Sequence, residues 1–121
     1  MTARVLVVDD ILSNVKLLQA KLTAEYFEVV TAFNGVECLA RMDEGVPDIV
    51  LLDVMMPGMD GFEVCRRIKS NPKTAHVPVV MVTAFAMKGD EEVIRQGGCE
   101  AYISKPISVT SFLDTVRRFI G

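Results

Sequence analysis

The sequence has little of what marks membrane, nucleic-acid-binding or secreted proteins. Its longest apolar stretch, from Val77 to Met87, is too short to span a bilayer and contains Pro78 and Thr83. The sequence has 13 Lys and Arg against 16 Asp and Glu, so its net charge is −3. It therefore lacks the excess of positive charge that is typical of proteins that bind nucleic acid without sequence preference. The first residues show no signal-peptide pattern. We therefore expect a cytoplasmic protein that binds neither membrane nor nucleic acid.

Cysteine is also scarce. The three residues Cys38, Cys65 and Cys99 lie far apart and form no CxxC pair. An odd number of widely spaced cysteines is more typical of buried thiols in a reducing compartment than of disulfide bonds or a metal site. Hydrophobic residues make up 50% of the 121 positions and charged residues 24%, which excludes disorder, collagen and coiled-coil arrays. We expect a single domain over residues 1–121, with no output domain after it.

Short apolar segments alternate with longer amphipathic ones. Several of the short segments are apolar at consecutive positions, as is typical of parallel strands buried on both faces. They are Val5–Val8, Val29–Thr31, Ile49–Leu52, Val79–Val82 and Ala101–Ile103. The longer stretches carry apolar residues three and four positions apart, which indicates helices. The alternation predicts the order βαβαβαβαβα, a doubly wound α/β domain.

Polar residues and glycines mark the ends of the predicted helices. We expect Ser13 to cap the first helix and Ser108 the last. Asp60 and Glu63 have the spacing of a capping box. Gly97-Gly98 suits the C-terminus of the fourth helix. These positions agree with the alternation of strands and helices.

Polar side chains follow four of the five predicted strands. They are Asp9 and Asp10 after the first strand, Asp53 after the third, Thr83 after the fourth, and Ser104 and Lys105 after the fifth. Because ligands of open α/β sheets bind beyond the carboxyl ends of the strands, we expect these side chains to meet at one edge. The second strand is followed by Ala32 to Gly35, which fits an outer strand away from the site.

A cluster of three carboxylates needs a cation to offset its internal repulsion. Oxygen ligands suit Mg²⁺, which keeps several waters and leaves positions open for phosphate oxygens. Lys105 supplies a compact positive charge for a further anionic group, and Thr83 supplies a hydroxyl donor. A carboxylate nucleophile, Mg²⁺, a lysine and a hydroxyl together indicate an aspartyl-phosphate site.

Four segments, in this order, resemble the motifs of bacterial two-component response-regulator receiver domains. They are Val5–Asp10, Leu51–Gly61, Val82–Ala84 and Ser104–Pro106, and the resemblance covers the whole chain. Each motif alone is weak, but all four together, each after its own strand, are specific. The resemblance implies a flavodoxin-like (CheY-like) fold, with a five-stranded parallel sheet in the order 2-1-3-4-5 and five helices.

The resemblance also implies a role for individual residues. Asp53 would accept a phosphoryl group from a sensor histidine kinase or a histidine phosphotransferase. Asp10 would bind Mg²⁺ directly, and Asp9 would act on it through water. Asp53 would itself be a further metal ligand, and Met55 would give the metal its backbone carbonyl, with Mn²⁺ as a substitute ion. Since the Met55 side chain offers no polar group to orient an attacking water, we expect slow self-dephosphorylation.

A conformational switch and two docking surfaces follow from the same resemblance. Thr83 and Lys105 would contact the phosphoryl oxygens, and Tyr102 would turn inward as Thr83 moves toward them. Tyr102 is equally compatible with a half-buried core position. The shift in population would change partner binding. The surfaces expected to bind partners are the fourth helix, fifth strand and fifth helix, over Met87–Gln96, Glu100–Ile103 and Ser108–Phe119, and the first helix, over Ile11–Leu22.

Taken together, the resemblance implies a monomeric, single-domain response regulator that signals through protein contacts and is not an enzyme in the usual sense. Within the family, Thr83–Glu92 and Gly97–Ser108 resemble single-domain cell-cycle regulators. Leu22–Tyr26 and Asp53–Met56 resemble a receiver of a diguanylate cyclase regulator. The sequence therefore predicts a role in cell-cycle or polarity control.

Three other functions compete with this prediction. A flavodoxin-like cofactor binder would need hydroxyls and backbone amides after the first strand, where Asp9 and Asp10 would repel phosphate. A phosphatase of the haloacid dehalogenase type would need a second acid where Met55 stands. A receiver-like module that binds partners without being phosphorylated is the third alternative, and Asp9 and Asp10 alone would also fit turn or cap residues.

Overall fold

The computed structural model describes residues 3–54, 56, 58–83, 99–104 and 109–120, with the backbone alone for Thr83, Tyr102, Ser104, residues 109–112 and Ile120. Labels below count the elements within these residues. The strands are β1 (Arg4–Val8), β2 (Glu28–Ala32), β3 (Ile49–Asp53), β4 (Val79–Thr83) and β5 (Ala101–Ser104). The helices are α1 (Leu12–Ala24), α2 (Gly35–Glu44), α3 (Gly61–Ser70) and α4 (Val109–Ile120). The helix predicted over Met87–Gln96 lies outside the described residues, and α4 is the predicted last helix.

The five strands form one parallel sheet in the order β2-β1-β3-β4-β5. This confirms the predicted strand order and the CheY-like, doubly wound fold. It also confirms that the second predicted strand lies at an edge of the sheet. The order reverses between β1 and β3, so the carboxyl ends of these two central strands form the crevice where such folds bind ligands.

Two apolar clusters explain why the strands are apolar at consecutive positions. Along β1, Leu6 and Val8 pack in one cluster with α2 and α3, whereas Val5 and Val7 pack in the other with α1 and α4. Successive side chains of a strand point to opposite faces, so the two clusters are the two faces of the sheet. Helices cover both faces, and the central strands are buried on each side.

The start of α1 differs from the prediction. The helix begins at Leu12, its N-cap is Ile11, and no side chain caps it, so the prediction of a Ser13 cap is wrong. Ser13 lies within the first turn. The carboxylate of Asp9 binds the backbone N–H of Ile11 at 2.9 Å, so a residue of the preceding strand end holds the chain where it enters the helix.

Two other helix starts are capped by acidic or amide side chains. Asp60 accepts a hydrogen bond from the N–H of Glu63 at 2.9 Å, which confirms its predicted capping role on α3. Asn34 caps α2 and accepts from the N–H of Glu37 at 2.8 Å, and the Glu37 carboxylate in turn accepts from Asn34 and from the N–H of Phe33. This reciprocal bonding of Asn34 and Glu37, a variant of the capping box, was not predicted. Ser108 and Gly97-Gly98 lie outside the described residues.

The three cysteines are thiols that are not joined in disulfide bonds, as predicted. Cys38 and Cys65 are buried, and Cys99 is partly buried against the same apolar cluster. Burial raises the pKa of Cys38 to about 12. Among the described residues, none of the helices has the length and apolar character needed to cross a membrane.

Candidate functional site

Three carboxylates meet at the carboxyl edge of the sheet. Val8 of β1 lies opposite Leu52 of β3, so the next residues along the two strands, Asp9 and Asp53, arrive side by side. Asp10 follows Asp9 directly. Each of these three residues has a carboxylate oxygen within 4.8 Å of the other two. The convergence predicted from the strand ends is therefore present, and we call these three residues the acid trio.

The members of the acid trio differ in exposure. Asp9 is 4% exposed and Asp53 is 3% exposed, whereas Asp10 is exposed at the surface. Two buried carboxylates this close repel each other strongly because little water screens them. A divalent cation at the exposed side would offset that repulsion, and the three oxygen donors match the ligands that Mg²⁺ and Mn²⁺ prefer. The residues present therefore fit the implied metal.

Asp9 is held by the beginning of α1. Its Oδ1 accepts from the backbone N–H of Ile11 at 2.9 Å, and its Oδ2 accepts from the side-chain amide of Asn14 at 3.2 Å. Its own backbone N–H donates to the carbonyl of Ala32 at 3.2 Å, which ties the strand end to β2. Sequence reasoning overlooked Asn14. The sequence signal for Asn14 is its position, five residues after Asp9 and within the first turn of α1.

Asp53 is fixed through its backbone. The N–H of Val54 donates to the carbonyl of Val82 at 3.1 Å, and the N–H of Gly61 donates to the carbonyl of Val54 at 3.1 Å. These two bonds join the end of β3 to β4 on one side and to the start of α3 on the other. Between Val54 and Gly61, the residue Gly58 has a φ of +78°, a conformation that favours glycine.

The sheet register places two of the remaining predicted site residues, Thr83 and Tyr102. Asp53 lies opposite Val82, so Thr83 is the next residue at the same edge, and Ser104 lies opposite Thr83. Lys105 follows Ser104 in the sequence but lies outside the described residues, as does Met55. Tyr102 lies opposite Met81 within β5. The roles of Thr83, Lys105, Met55 and Tyr102 remain predictions.

A CheY-like sheet with buried acids beside its topological switch point defines the receiver class of α/β domains. Comparison with protein families agrees with that class, since the profile of the response regulator receiver domain matches residues 5–117. The chain belongs to this family. The family fold and the acid trio also leave no support for a flavin-phosphate loop after β1, where Asp9 and Asp10 stand.

Two groups of curated relatives match the resemblances seen in the sequence. The chain is 53% identical over 117 residues to the response regulator PleD of Caulobacter vibrioides, an alignment that covers 97% of this chain and 26% of PleD. It is 46% identical over 121 residues to the polar-differentiation response regulator DivK of Brucella ovis, covering 100% of this chain and 98% of DivK. The chain thus spans about a quarter of PleD and nearly the full length of DivK.

Solved structures show the same fold. The Vibrio cholerae chemotaxis protein CheY4 superimposes with a TM-score of 0.94 at 28% identity, covering 98% of this chain and 99% of CheY4. The receiver domain of the sensor histidine kinase PA1611 from Pseudomonas aeruginosa superimposes with a TM-score of 0.91 at 26% identity, covering 100% and 99% of the two chains. That structure holds a magnesium ion coordinated in its active-site cleft.

Proposed function

We propose that this receiver is a phosphoacceptor that takes a phosphoryl group on Asp53 from a phosphohistidine of a sensor kinase or a histidine phosphotransferase. The observation that carries the proposal is the acid trio, in which Asp53 lies buried beside Asp9 and Asp10 is exposed to solvent. This arrangement gives a nucleophilic carboxylate a metal-binding neighbourhood at the edge where α/β folds bind ligands.

The chemistry is a phosphoryl transfer between two side chains. A carboxylate oxygen of Asp53 forms a bond to phosphorus as the N–P bond of the phosphohistidine breaks, and the imidazole keeps the electron pair and takes up a proton. Mg²⁺ held by the acid trio would supply positive charge that offsets the negative charge of the phosphoryl group. Asp53 is 3% exposed, so the carboxylate that attacks phosphorus is shielded from bulk water.

The proposed division of roles within the acid trio follows from exposure and hydrogen bonding. Asp10 is exposed and would bind the metal directly. Both carboxylate oxygens of Asp9 already accept hydrogen bonds from the start of α1, which suits an indirect role through water. Met55 would add a backbone carbonyl, and Thr83 and Lys105 would bind the phosphoryl oxygens.

We propose two surfaces for binding partners, which are the kinase or phosphotransferase that donates the phosphoryl group and the downstream protein that responds to it. On α1, the apolar residues Ile11, Leu12 and Leu17 are 49%, 51% and 54% exposed, which supports a docking surface for a partner helix close to the acid trio. The second surface includes β5 and α4, and phosphorylation would alter it as Thr83 moves and Tyr102 turns inward. Similarity to the polar-differentiation regulator DivK supports a role in polarity or cell-cycle control. We further propose that the protein is a monomer and acts in the cytoplasm.

The proposal is tested by intact-protein mass spectrometry after incubation with Mg²⁺ and a small acyl-phosphate donor. We expect a single phosphoryl gain in the wild type, lost with EDTA and in Asp53→Asn. Asp60→Asn is the matched control, because Asp60 is an exposed N-cap of α3 and asparagine caps helices equally well. If neither the small donor nor a histidine kinase adds a phosphoryl group, the chain is a binding module that works without phosphorylation.

A further inference from the structure

We infer that Asn14 is a positioning residue of the acid trio, whose side-chain amide holds the buried carboxylate of Asp9 in the orientation that reaches the divalent cation through water. The inference rests on the proposed metal site and names a residue outside the motifs that identify the family. Asn14 lies in the first turn of α1 and is partly buried, and its Nδ2 lies 3.2 Å from Oδ2 of Asp9.

The need for such a residue comes from the charge of the acid trio. Asp9 and Asp53 are both nearly fully buried, and a carboxylate in that position relieves repulsion by rotating away from its neighbours. The N–H of Ile11 holds Oδ1 of Asp9 at 2.9 Å, and donors on both oxygens hold the plane of a carboxylate more firmly than a donor on one. A second donor on Oδ2 fixes the plane of the group.

The chemistry of an amide suits this task. A lysine or arginine at position 14 would bind Asp9 more strongly, but it would cancel the negative charge that attracts the cation. The amide of Asn14 is neutral, so it orients the carboxylate and leaves the charge in place. Groups that hold metal ligands in this way commonly change metal affinity by about 10- to 100-fold when they are removed.

The same bonds connect the metal site to α1. Ile11 and Asn14 both donate to Asp9, while Ile11 and Leu12 expose apolar side chains on the proposed docking surface. Binding of the cation and the order of the first helical turn should therefore influence each other, because a coupling between two sites is reciprocal.

The test uses the full chain without phosphorylation and Mn²⁺ as the probe, with free Mn²⁺ followed by its paramagnetic resonance signal. We expect Asn14→Leu to raise the Mn²⁺ Kd by about tenfold. Asn14→Gln keeps an amide donor and should recover part of the affinity. Gln19→Leu is the matched control, since it makes the same kind of change on an exposed position of α1, and its Kd should equal that of the wild type.

Each outcome has one meaning. If wild type binds Mn²⁺ and Asn14→Leu binds it equally well, Asn14 has no positioning role and the proposed function is unaffected. If wild type binds no Mn²⁺, the metal site and this inference both fail. If Asn14→Leu has a much lower Tm than wild type in EDTA, a measurement on wild type replaces the Kd comparison. The side-chain amide signals of Asn14 in ¹H–¹⁵N spectra should then shift as Mg²⁺ is added, and unchanged signals would overturn the inference.

Discussion

The carbonyl oxygen of Asp53 lies so close to Gly61 that a β-carbon added to Gly61 would stand 2.6 Å from it. The same β-carbon would lie 2.9 Å from the Cα of Val54. Both contacts are with backbone atoms, which cannot rotate aside as a side chain can. The first residue of α3 thus rests directly on the backbone of the proposed phosphoacceptor, and glycine is required there for close approach.

Replacement of Gly61 by alanine should therefore disturb both stability and phosphorylation. We expect Gly61→Ala to lower the free energy of unfolding by about 1–3 kcal/mol through overpacking. We also expect slower phosphorylation of the folded protein, because the displaced backbone carries the Asp53 carboxylate with it. Urea denaturation and the initial rate with an acyl-phosphate donor measure the two effects.

Gly45→Ala is the control for this prediction. A β-carbon at Gly45 would meet Nη1 of Arg4 at 2.5 Å, which is the far end of a flexible side chain. The Arg4 side chain can move, and the position is remote from the acid trio. Gly45→Ala should keep the wild-type phosphorylation rate, and an equal loss of rate in both variants would show that the Asp53–Gly61 contact has no special role.

Tyr26 occupies a strained position after the end of α1. Its φ is +68°, its side chain is 88% exposed, and the N–H groups of Tyr26 and Phe27 donate to the carbonyls of Thr23 and Leu22. This is the hydrogen-bonding pattern that normally places glycine at the left-handed residue. Tyr26→Gly should raise the free energy of unfolding by about 0.5–1 kcal/mol and raise the Tm.

The control for Tyr26 is Ala20→Gly, at an exposed position in the interior of α1, which should destabilise the protein by about 0.5–1 kcal/mol because glycine is a poor helix former. A lower Tm for Tyr26→Gly than for wild type would show that the exposed tyrosine ring stabilises the fold through contacts of its own.

Cys38 makes stability depend on alkaline pH. Burial raises the pKa of this thiol from 9.0 to about 12, so above pH 9 the unfolded chain loses the proton while the folded chain retains it. Stability from this group is complete below pH 9 and declines by about 1.4 kcal/mol per pH unit as the pH rises toward 12. Urea denaturation of wild type and Cys38→Ala from pH 8 to pH 11 measures the difference between them.

Cys38→Ala should be less stable than wild type at neutral pH because it leaves a small cavity, but its stability should fall less steeply above pH 9. Parallel slopes for the two proteins would mean that the Cys38 thiol ionises in the folded chain as readily as in the unfolded one.

The lifetime of the phosphorylated state should depend on residue 55. Methionine offers an attacking water no polar group, whereas an amide at the same position can orient one. Met55→Asn should therefore lose its phosphoryl group faster than wild type after the donor is removed, as followed by intact mass over time. Met55→Leu is the apolar control and should match wild type; equal lifetimes in all three would exclude control by this side chain.

The sheet and the acid trio were predictable because their signals are local. Each strand is a short apolar run, and strand ends in an open α/β sheet meet at one edge, so Asp9, Asp10 and Asp53 could be brought together without coordinates. The Ser13 cap was predicted wrongly because α1 already begins at Leu12, where the chain enters the helix with the N–H of Ile11 bound to Asp9. The spacing of apolar residues predicts that a helix is present, but it does not give the first residue of the helix to within one position.

Other features depend on contacts between distant segments. The role of Asn14 becomes visible only once α1 is known to begin at Leu12, which turns its amide toward Asp9. The requirement for Gly61 follows from the packing of α3 on the end of β3, which the capping signal of Asp60 does not reveal. Sequence patterns locate elements and their ends, and three-dimensional packing determines which atoms touch.

The most direct test of the account is the chemical identification of the phosphorylated residue. Borohydride reduces an aspartyl phosphate to homoserine, so reduction of the phosphorylated chain followed by peptide sequencing reports the acceptor position. We predict homoserine at position 53 and aspartate unchanged at positions 9, 10 and 60. Homoserine at Asp9 or Asp10, or a phosphorylated chain that yields no homoserine, would contradict the assignment of Asp53 as the acceptor.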